Sequence, residues 1–359
     1  MYYIGIDIGS TASKVAVFDD EKNDLTELFM IPTGWSGVEA ASKILEILKE
    51  KNINKENSYF TGTGYGRVSI EYANKTVTEI TCHAKGANFL FNNLNGTLID
   101  IGGQDTKIIS IKNGKVDNFI MNDKCSAGTG RFIELMANSL GCSIPTLLEE
   151  AQKCNDTDVV ISSMCTVFAE TEVISLKASG KQKNEIAYAI VNSVANKVAS
   201  LCGKFKDDTY FLTGGLCVFD YLIKTLEKTL GGKVITDSRG QYAGAIGAAI
   251  IGFEKNASNK NKIKQNSSNT ESKEKKEEIK DKRLIITFNT TTDVMRAEKS
   301  FKNIMAETNE LLGKIISIPS EISAGCGMSW ESEIHLKDKL TNILKENDIE
   351  YDNFYEIYK

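Results

Sequence analysis

One pattern of residues occurs twice near the start of the chain and limits its fold more than any other feature. IGIDIGSTASKVAVF (4–18) and TLIDIGGQDTKIISI (97–111) share the order apolar strand, Asp-Ile-Gly, short polar loop, lysine, apolar strand. Apolar runs on both sides of a glycine turn are typical of two strands joined by that turn. The duplication therefore predicts two related α/β lobes that face each other across a cleft.

The rest of the sequence divides into three parts. Strand-like and helix-like segments alternate over residues 1–253, which we interpret as one two-lobed domain. Residues 254–282 are rich in charge and poor in apolar side chains, so they are predicted to form a flexible, disordered linker. Residues 283–359 resume a strand, helix, strand, helix, strand pattern, which predicts a small C-terminal α/β domain.

The two Asp-Ile-Gly loops carry the residue types expected at a phosphate site. Backbone N–H groups of a glycine turn bind phosphate oxygens, a lysine partly neutralises them, and a carboxylate at a strand end suits Mg²⁺ with its waters. The predicted catalytic residues are Asp7, Asp100 and Gln104. The predicted nucleotide-binding residues are Gly9, Ser10, Thr11, Ala12, Ser13, Lys14, Gly102, Gly103, Asp105, Gly214, Gly215 and Gly244.

Two of those glycines belong to a third turn, TGGL (213–216), where a backbone could lie against an adenosine. Gly244 begins a helix of small residues, YAGAIGAAIIGF, which can pack close to a backbone or a ligand. A glycine at a strand end is also typical of an ordinary tight turn, and for one loop alone the two interpretations are equally good. The matched pair of loops, together with the third turn, favours a nucleotide site.

Two cysteines stand in similar polar settings, each just ahead of a helix-like run. Cys125 lies in MNDKCSAGTGRF (121–132) and Cys165 in SSMCTVFAETEVISL (162–176). A buried cysteine needs no neighbouring glycine or hydroxyl group, whereas a sulfur that is presented to a ligand does. Cys142, Cys154, Cys202 and Cys217 are predicted to be small buried apolar residues. The adjacent Cys82 and His83 are interpreted as packing or interface residues, because no second ligand pair accompanies them.

Composition excludes several classes of function. The net charge of −5 and the lack of a basic face with interleaved aromatic residues exclude a nucleic-acid partner. No apolar run is long enough to cross a bilayer, so no membrane partner is expected, and we expect a cytoplasmic protein. The eight cysteines include no CxxC pair, which argues against a zinc finger.

Residues 1–253 resemble a known family. The duplicated loops are similar to those of the actin-like (ribonuclease H-like) ATPase superfamily, which includes acetate kinase and hexokinase. GIDIGSTASK, TGYGR, EITCHAKGA, IDIGGQDTK, MNDKCSAGTGRF, CTVFAETEVISL and TGGL more closely resemble activators of 2-hydroxyacyl-CoA dehydratases and the ATPase subunits of benzoyl-CoA reductase. The resemblance implies an ATPase acting as a reductive activator, with ATP and Mg²⁺ bound between duplicated lobes.

The resemblance also implies a cofactor and partners. In that family a homodimer shares one [4Fe–4S] cluster, to which each subunit gives two cysteines, and by motif these are Cys125 and Cys165 here. The electron donor is a ferredoxin or flavodoxin. The acceptor is a two-subunit 2-hydroxyacyl-CoA dehydratase or a benzoyl-CoA-reductase-like enzyme.

The C-terminal part resembles a different small domain, described as a sulfur or selenium carrier, through ITFNTTTDVMRAEK and PSEISAGCGMSW. Cys326 between two glycines is its candidate thiol, with a turn cysteine of no function as the alternative. Three other functions stay open from the sequence. They are a sugar or carboxylate kinase of the same fold, an ATP-coupled sulfur or selenium carrier, and a non-enzymatic ATP-binding regulator.

Overall fold

The structure, a computed structural model, describes residues 1–92, 94–162, 165–267, 282–288, 290–308, 312–319, 322 and 328–358. The chain forms two compact units, Met1–Asn269 and Thr270–Lys359. No helix in these described ranges is both long enough and apolar enough to span a bilayer.

The first lobe is built on a five-stranded sheet with the order β3-β2-β1-β4-β5. The strands are β1 (Tyr2–Ile8), β2 (Ala12–Asp19), β3 (Asp24–Pro32), β4 (Ser58–Thr63) and β5 (Lys75–Thr76). The first three strands form an antiparallel meander, while β4 pairs parallel with β1 and β5 pairs parallel with β4. Helix α1 (Gly37–Glu50) connects β3 to β4 and buries Ala40, Ala41, Ile44 and Leu48.

The second lobe repeats this sheet. Its strands are β6 (Gly96–Ile101), β7 (Thr106–Lys112), β8 (Lys115–Asn122), β9 (Thr209–Gly214) and β10 (Lys233–Thr236). Their order is β10-β9-β6-β7-β8, again an antiparallel meander flanked by two parallel strands. Strand for strand this is the topology of the first lobe, so the predicted duplication is confirmed.

The turn between β7 and β8 shows how local sequence sets the register. Asn113 and Gly114 form a two-residue loop, with φ angles of 52° and 70°. Positive φ at both central residues is the requirement of the type I′ turn, whose twist matches that of the flanking strands. The Asn-Gly pair thus fixes which residues of β7 and β8 face each other.

The second lobe differs from the first by a helical insertion between β8 and β9. It consists of α3 (Gly130–Ser139), α4 (Ile144–Gln152), α5 (Thr166–Ala178) and α6 (Lys183–Cys202). Helix α6 lies at its centre and buries an apolar stripe that includes Ile186, Ile190 and Val194. Helix α7 (Asp220–Leu230) packs against α6 and closes this core.

Two helices pack closely against each other at the junction of the lobes. They are α2 (Glu79–Leu90), which leads from the first sheet into the second, and α8 (Ala243–Ser267). A Cβ atom at Gly86 would collide with the carbonyl oxygen of Ala243, and one at Gly247 with that of Cys82. The small residues of α8 therefore permit backbone-to-backbone packing, as predicted from the sequence.

Helix α8 extends to Ser267, into the segment predicted to be a linker. Residues 268–281 of that segment lie outside the described residues, and its last residue, Lys282, is the first residue of a strand.

The C-terminal unit is a four-stranded antiparallel sheet with two helices. Its elements are β11 (Lys282–Thr287), α9 (Thr291–Thr308), β12 (Lys314–Ser317), β13 (Met328–Glu333), α10 (Lys337–Glu346) and β14 (Asn353–Tyr358), with the strand order β12-β13-β11-β14. The prediction here was wrong in one respect, because it omitted β13. That strand carries Trp330, which is fully buried against Phe301 and donates a hydrogen bond to the Leu312 carbonyl oxygen at 3.0 Å.

The cysteines predicted to be buried are mostly so. Cys154, Cys202 and Cys217 are buried, whereas Cys142 is half-buried at the edge of the second lobe's core.

Candidate functional site

The two glycine loops have the same backbone geometry. In the first loop the Gly9 N–H donates to the Ala12 carbonyl oxygen at 3.2 Å, and in the second the Gly102 N–H donates to the Asp105 carbonyl oxygen at 2.9 Å. A Cβ atom at Gly103 would lie 2.5 Å from the Thr11 hydroxyl oxygen. The loops of the two lobes thus meet across the cleft, and glycine at position 103 permits that approach.

A cavity of about 540 Å³ lies between the loops. Thirteen of the predicted site residues line it: Asp7, Gly9, Ser10, Thr11, Ala12, Lys14, Asp100, Gly102, Gly103, Gln104, Asp105, Gly214 and Gly215. Residues that were not predicted line it as well, namely Met30, Tyr65, Glu79, His83, Lys107, Met121, Asp123, Lys124 and Gln241. The volume is that of a pocket for a ligand of nucleotide size.

Two predicted nucleotide-binding residues do not line the cavity. Ser13 is fully buried, and its hydroxyl group forms a hydrogen bond with the Thr33 hydroxyl group at 2.9 Å. Gly244 lies behind the site, where a Cβ atom would be 2.5 Å from Asp7 Oδ2 and 2.9 Å from His83 Nε2. The structure thus brings Gly244 to the carboxylate and imidazole rather than to the cavity.

Asp7 is the buried acid of the first lobe. Its carboxylate is almost fully enclosed at the end of β1, and Oδ1 has no hydrogen-bond partner among the described residues. Burial raises the pKa of Asp7 above its usual range, although Lys14 and His83 act in the opposite direction. A buried carboxylate oxygen without a donor is costly, and a hydrated cation in the cavity would satisfy it.

Asp100 occupies the matching position in the second lobe, but both of its carboxylate oxygens have polar or charged partners. Thr213 donates its hydroxyl to Asp100 Oδ1 at 2.8 Å, Lys107 Nζ lies 3.4 Å from Oδ2, and His83 Nδ1 lies 3.2 Å from Oδ1. Burial alone would raise the pKa of Asp100, but His83 and Lys107 together hold that pKa well below its usual range. Asp100 is therefore an ionised acceptor.

Lys107 is buried among three carboxylates. Its ammonium group lies 2.8 Å from Glu79 Oε1 and 2.9 Å from Asp105 Oδ1, in addition to the contact with Asp100. Burial lowers the pKa of Lys107, but the three acids outweigh this effect and raise it above its usual range. His83 and Lys107 in turn lower the pKa of Glu79 to about 2, against the effect of burial.

The position of Lys107 follows from the repeat. Asp7 pairs with Lys14 across the first hairpin, and Asp100 pairs with Lys107 across the second. The equal Asp-to-Lys spacing in the two sequence repeats was the available indication of this residue. Lys107 was not singled out, because the sequence does not show that the surrounding acids converge on it.

His83 was interpreted as a packing or interface residue, and the structure instead places it in the cleft. It projects from α2, is 4% exposed, and lies between the carboxylates of the two lobes. Burial lowers the pKa of His83, but Asp100 and Glu79 outweigh that effect and raise it to about 10. Glu79 precedes His83 by one helical turn, so the i, i+4 spacing was the only sequence indication. Cys82, by contrast, is fully buried, as packing requires.

The two candidate cluster cysteines lie in the helical insertion. Cys125 is half-buried before α3, and Cys165 is exposed as the N-cap residue of α5. The residues that follow them, Ser126 and Thr166, form a side-chain hydrogen bond of 2.5 Å. This bond brings the two cysteine segments together at one surface of the lobe. Among the described residues, no group of three or more His, Cys, Asp or Glu side chains could hold a metal ion by itself.

The turn that follows Cys125 is bonded to the second glycine loop. The N–H groups of Gly130 and Arg131, at the start of α3, donate to the carbonyl oxygens of Gly102 and Gly103 at 2.9 and 2.8 Å. The Thr106 hydroxyl donates to the Gly128 carbonyl oxygen at 2.7 Å. The cysteine segment and the cavity wall are therefore one hydrogen-bonded unit.

The surface beside Cys165 is apolar. Helix α5 exposes Val167, Phe168 and Ile174, each more than half accessible, and Val160 is exposed nearby. Apolar side chains that cluster at a surface are typical of a protein interface.

Comparison with known proteins gives a family match and several relatives for the first unit. The sequence model of the BadF/BadG/BcrA/BcrD ATPase family matches residues 4–252. The (R)-2-hydroxyglutaryl-CoA dehydratase activating ATPase of Acidaminococcus fermentans is 44% identical over 263 residues, which make up 72% of this chain and 99% of that protein. The activator of lactoyl-CoA dehydratase from Anaerotignum propionicum is 40% identical over 261 residues, covering 71% of this chain and 98% of that protein.

Two further matches concern a solved structure and the C-terminal part of the chain. The activator of the 2-hydroxyisocaproyl-CoA dehydratase from Clostridium difficile, solved with bound ADPNP, has a TM-score of 0.65 at 33% identity. The match covers 77% of this chain and 100% of that one. Residues 283–356 match a family model described as Se/S carrier protein-like. Cys326, the candidate thiol of that part, lies outside the described residues.

Proposed function

Because the chain belongs to the BadF/BadG/BcrA/BcrD ATPase family, we propose that it is an ATP-dependent iron–sulfur activator of another enzyme. It hydrolyses Mg-ATP and delivers a low-potential electron to a 2-hydroxyacyl-CoA dehydratase or a related CoA-ester reductase. One observation favours this proposal over the alternative functions. The segment that holds Cys125 is hydrogen-bonded directly to the glycine loop Gly102–Gly103, and a kinase of the same fold would have no use for Cys125 and Cys165 beside it.

The nucleotide is held between the two glycine loops. Backbone N–H groups of Ser10, Thr11 and Gly103 would receive the phosphates, because those of Gly9 and Gly102 already donate within their own loops. Lys14 would offset part of the phosphate charge. The turn at Gly214 and Gly215 receives the adenosine, since a Cβ atom at Gly215 would meet no atom within 4 Å and the backbone there faces open space. The ADPNP bound by the Clostridium difficile relative supports a nucleotide in this chain as well.

Asp7 and Asp100 have different proposed roles at the phosphates. Asp7 would accept hydrogen bonds from the waters of Mg²⁺, which would satisfy a buried oxygen that has no donor among the described residues. Asp100 stays ionised through Thr213, His83 and Lys107, so its position is fixed before nucleotide binds. Gln104 is exposed in the second loop and is the side chain proposed to orient the attacking water.

The two cysteines fit half of a cluster site. A [4Fe–4S] cluster is held by four thiolates and supplies one-electron transfer when bound. Cys125 and Cys165 offer two thiols at one surface, and the start of α5 favours negative charge at Cys165. A second copy of the chain provides the other two. The exposed apolar residues of α5 support such a homodimer, because they would otherwise face water.

The partners follow from the same proposal. The electron comes from a ferredoxin or flavodoxin and goes to a two-subunit dehydratase or benzoyl-CoA-reductase-like enzyme. The relatives are activators of such dehydratases by name, and they match this chain over nearly their whole length. Nucleotide couples to electron delivery by binding one arrangement of the lobes better than another.

Cysteine variants purified under anaerobic conditions test the proposal. Cys125→Ser and Cys165→Ser should each lose the iron and acid-labile sulfide of the dimer, because a cluster shared by two chains loses two of its four ligands. Cys142→Ser is the matched control, since Cys142 is also half-buried in the helical insertion and should keep both. Full iron content in the Cys125 variant would contradict the ligand assignment. Electron delivery to the dehydratase without Mg-ATP would contradict the coupling.

The match at residues 283–356 favours a second candidate activity, transport of sulfur or selenium on Cys326. Incubation of the full chain with a persulfide donor, followed by mass spectrometry, should then give one added sulfur atom on wild type and none on Cys326→Ser. Equal labelling of both proteins would rule out Cys326 as the carrier residue.

A further inference from the structure

His83 lies near an acid of each lobe. Its Nδ1 atom lies 3.2 Å from Asp100 Oδ1, and its Nε2 atom lies 3.9 Å from Asp7 Oδ2. Helix α2, which carries His83, is the connection from the first sheet to the second. Each ring nitrogen thus lies within ion-pair distance of a carboxylate of a different lobe, although Nδ1 forms no hydrogen bond among the described residues.

The surroundings hold the ring at this place. The side chain of His83 is 5% exposed, and Gly244 of α8 leaves the space behind it, since a Cβ atom there would lie 2.9 Å from Nε2. Glu79 lies 3.7 Å from Nε2 on the same helix, but its carboxylate is also held by Lys107 at 2.8 Å. Asp7, unlike Glu79, is not paired with Lys107 among the described residues, and its ion pair there is with His83.

We propose that His83 is a positioning residue for ATP hydrolysis, and that its imidazole fixes the separation of Asp7 and Asp100 across the cleft. This inference rests on the proposed ATPase function. It assigns His83 no contact with the reacting atoms. The residue acts through the two carboxylates, which it spaces and whose mutual repulsion it offsets.

The physical reason is geometric. The two carboxylates belong to different sheets, so their separation changes with any movement of one lobe relative to the other. Lys107 pairs with Asp100, Glu79 and Asp105 of this group. Lys14 also acts on Asp7, but from the same lobe, whereas the ion pair with His83 links Asp7 to the acids around Lys107. A catalytic group misplaced by about 1 Å can reduce a rate by about 100-fold even when the substrate still binds.

The test compares His83→Ala and His83→Gln with Cys82→Ala in the full-length, anaerobically purified protein. Cys82 is the control because it is the adjacent residue on α2 and is also buried, but its thiol is uncharged, since burial raises its pKa to about 12. The measurements are kcat and KM for Mg-ATP, the Kd for Mg-ADPNP, and the midpoint of thermal unfolding. Glutamine keeps a polar N–H group at this position, so it serves as the conservative replacement.

His83→Ala is expected to lower kcat by about 10- to 100-fold while changing the Kd for Mg-ADPNP by less than about threefold. His83→Gln should recover part of kcat, and Cys82→Ala should keep it. The inference is overturned by a kcat of His83→Ala within about twofold of wild type. It is equally overturned if Cys82→Ala loses as much activity, or if nucleotide affinity falls in parallel with kcat. If His83→Ala does not fold, the comparison of His83→Gln with Cys82→Ala decides in the same way.

Failure of the proposed function gives a different result. Wild-type protein that does not hydrolyse Mg-ATP would overturn the ATPase proposal itself. Active wild type with an equally active His83→Ala variant would overturn only the role of His83.

Discussion

Lys107→Met should destabilise the protein far more than a single surface charge would. Methionine keeps the length of the side chain and removes the ammonium group. In the native structure that group is 1% exposed and lies within 3.4 Å of Glu79, Asp105 and Asp100. The substitution therefore leaves three carboxylates close together with one fewer cation between them.

The magnitude follows from burial. Removal of one partner of a buried ion pair costs about 3–5 kcal/mol, because the remaining charge is left uncompensated. We expect a loss at the lower end of that range, since His83 still contacts Asp100. Lys112→Met is the matched control, because it makes the same change on the same strand. Lys112 is 69% exposed in its ion pair with Asp117, and such exposed pairs contribute about 0–1 kcal/mol.

Urea unfolding of both variants and of wild type, without nucleotide and followed by circular dichroism, measures the free energies. The pH dependence gives a second check. The pKa of Glu79 is held at about 2 in the folded protein, against 4.5 for a free side chain. The stability this contributes is present above pH 4.5 and is lost as the pH falls toward 2. The difference in free energy of unfolding between wild type and Lys107→Met should therefore become smaller as the pH falls from 4.5 to 2.

Two results would refute this reasoning. One is a loss below about 1 kcal/mol for Lys107→Met, equal to that for Lys112→Met. The other is a deficit that stays constant from pH 6 to pH 2, since the affected carboxylates would then not be the source of the effect.

Asp7→Ala should reduce Mg-ATP hydrolysis by about 100-fold, because the acceptor for the waters of Mg²⁺ is lost, and unchanged phosphate release would contradict that role. Gly103→Val should weaken Mg-ADPNP binding in calorimetry, since a Cβ atom would lie 2.5 Å from the Thr11 hydroxyl oxygen and separate the loops; wild-type affinity would show that the loops adapt. The pKa of His83 is raised from 6.5 to about 10, so the stability that His83 contributes is complete below pH 6.5 and lost toward pH 10. The free energies of unfolding of wild type and His83→Gln, measured in urea, should therefore converge between pH 6.5 and pH 10. A constant difference between the two proteins over that interval would contradict this role of His83. Mg-ATP should accelerate iron removal from the reduced dimer by a chelator, and identical rates with and without nucleotide would refute the coupling.

Local pattern was enough to predict the two sheets. The Asp-Ile-Gly loops repeat with the same spacing to Lys14 and Lys107, and this spacing is the cross-strand register of a hairpin. The Asn113-Gly114 turn fixes its own backbone conformation. Features set by a few adjacent residues in this way can be recognised in a single sequence.

The polar centre of the cleft could not be predicted in the same way. Glu79 and His83 reach it only because α2 crosses between the lobes, and nothing near them in the sequence specifies that path. Gly244 was assigned to the nucleotide because small residues allow close approach, but its neighbours are Asp7 and His83. Strand β13 was missed because its central position depends on pairing with β11, far away in the chain.

For the proposed iron–sulfur activator, the backbone bonds from Gly130 and Arg131 to Gly102 and Gly103 have a thermodynamic consequence. Coupling between two binding events is reciprocal, so nucleotide and electron must each change the affinity for the other by the same factor. For a one-electron carrier, a tenfold difference in nucleotide affinity between the oxidised and reduced forms corresponds to about 59 mV of reduction potential. Nucleotide titrations of the two redox forms would therefore measure, without an electrode, how far ATP moves the potential.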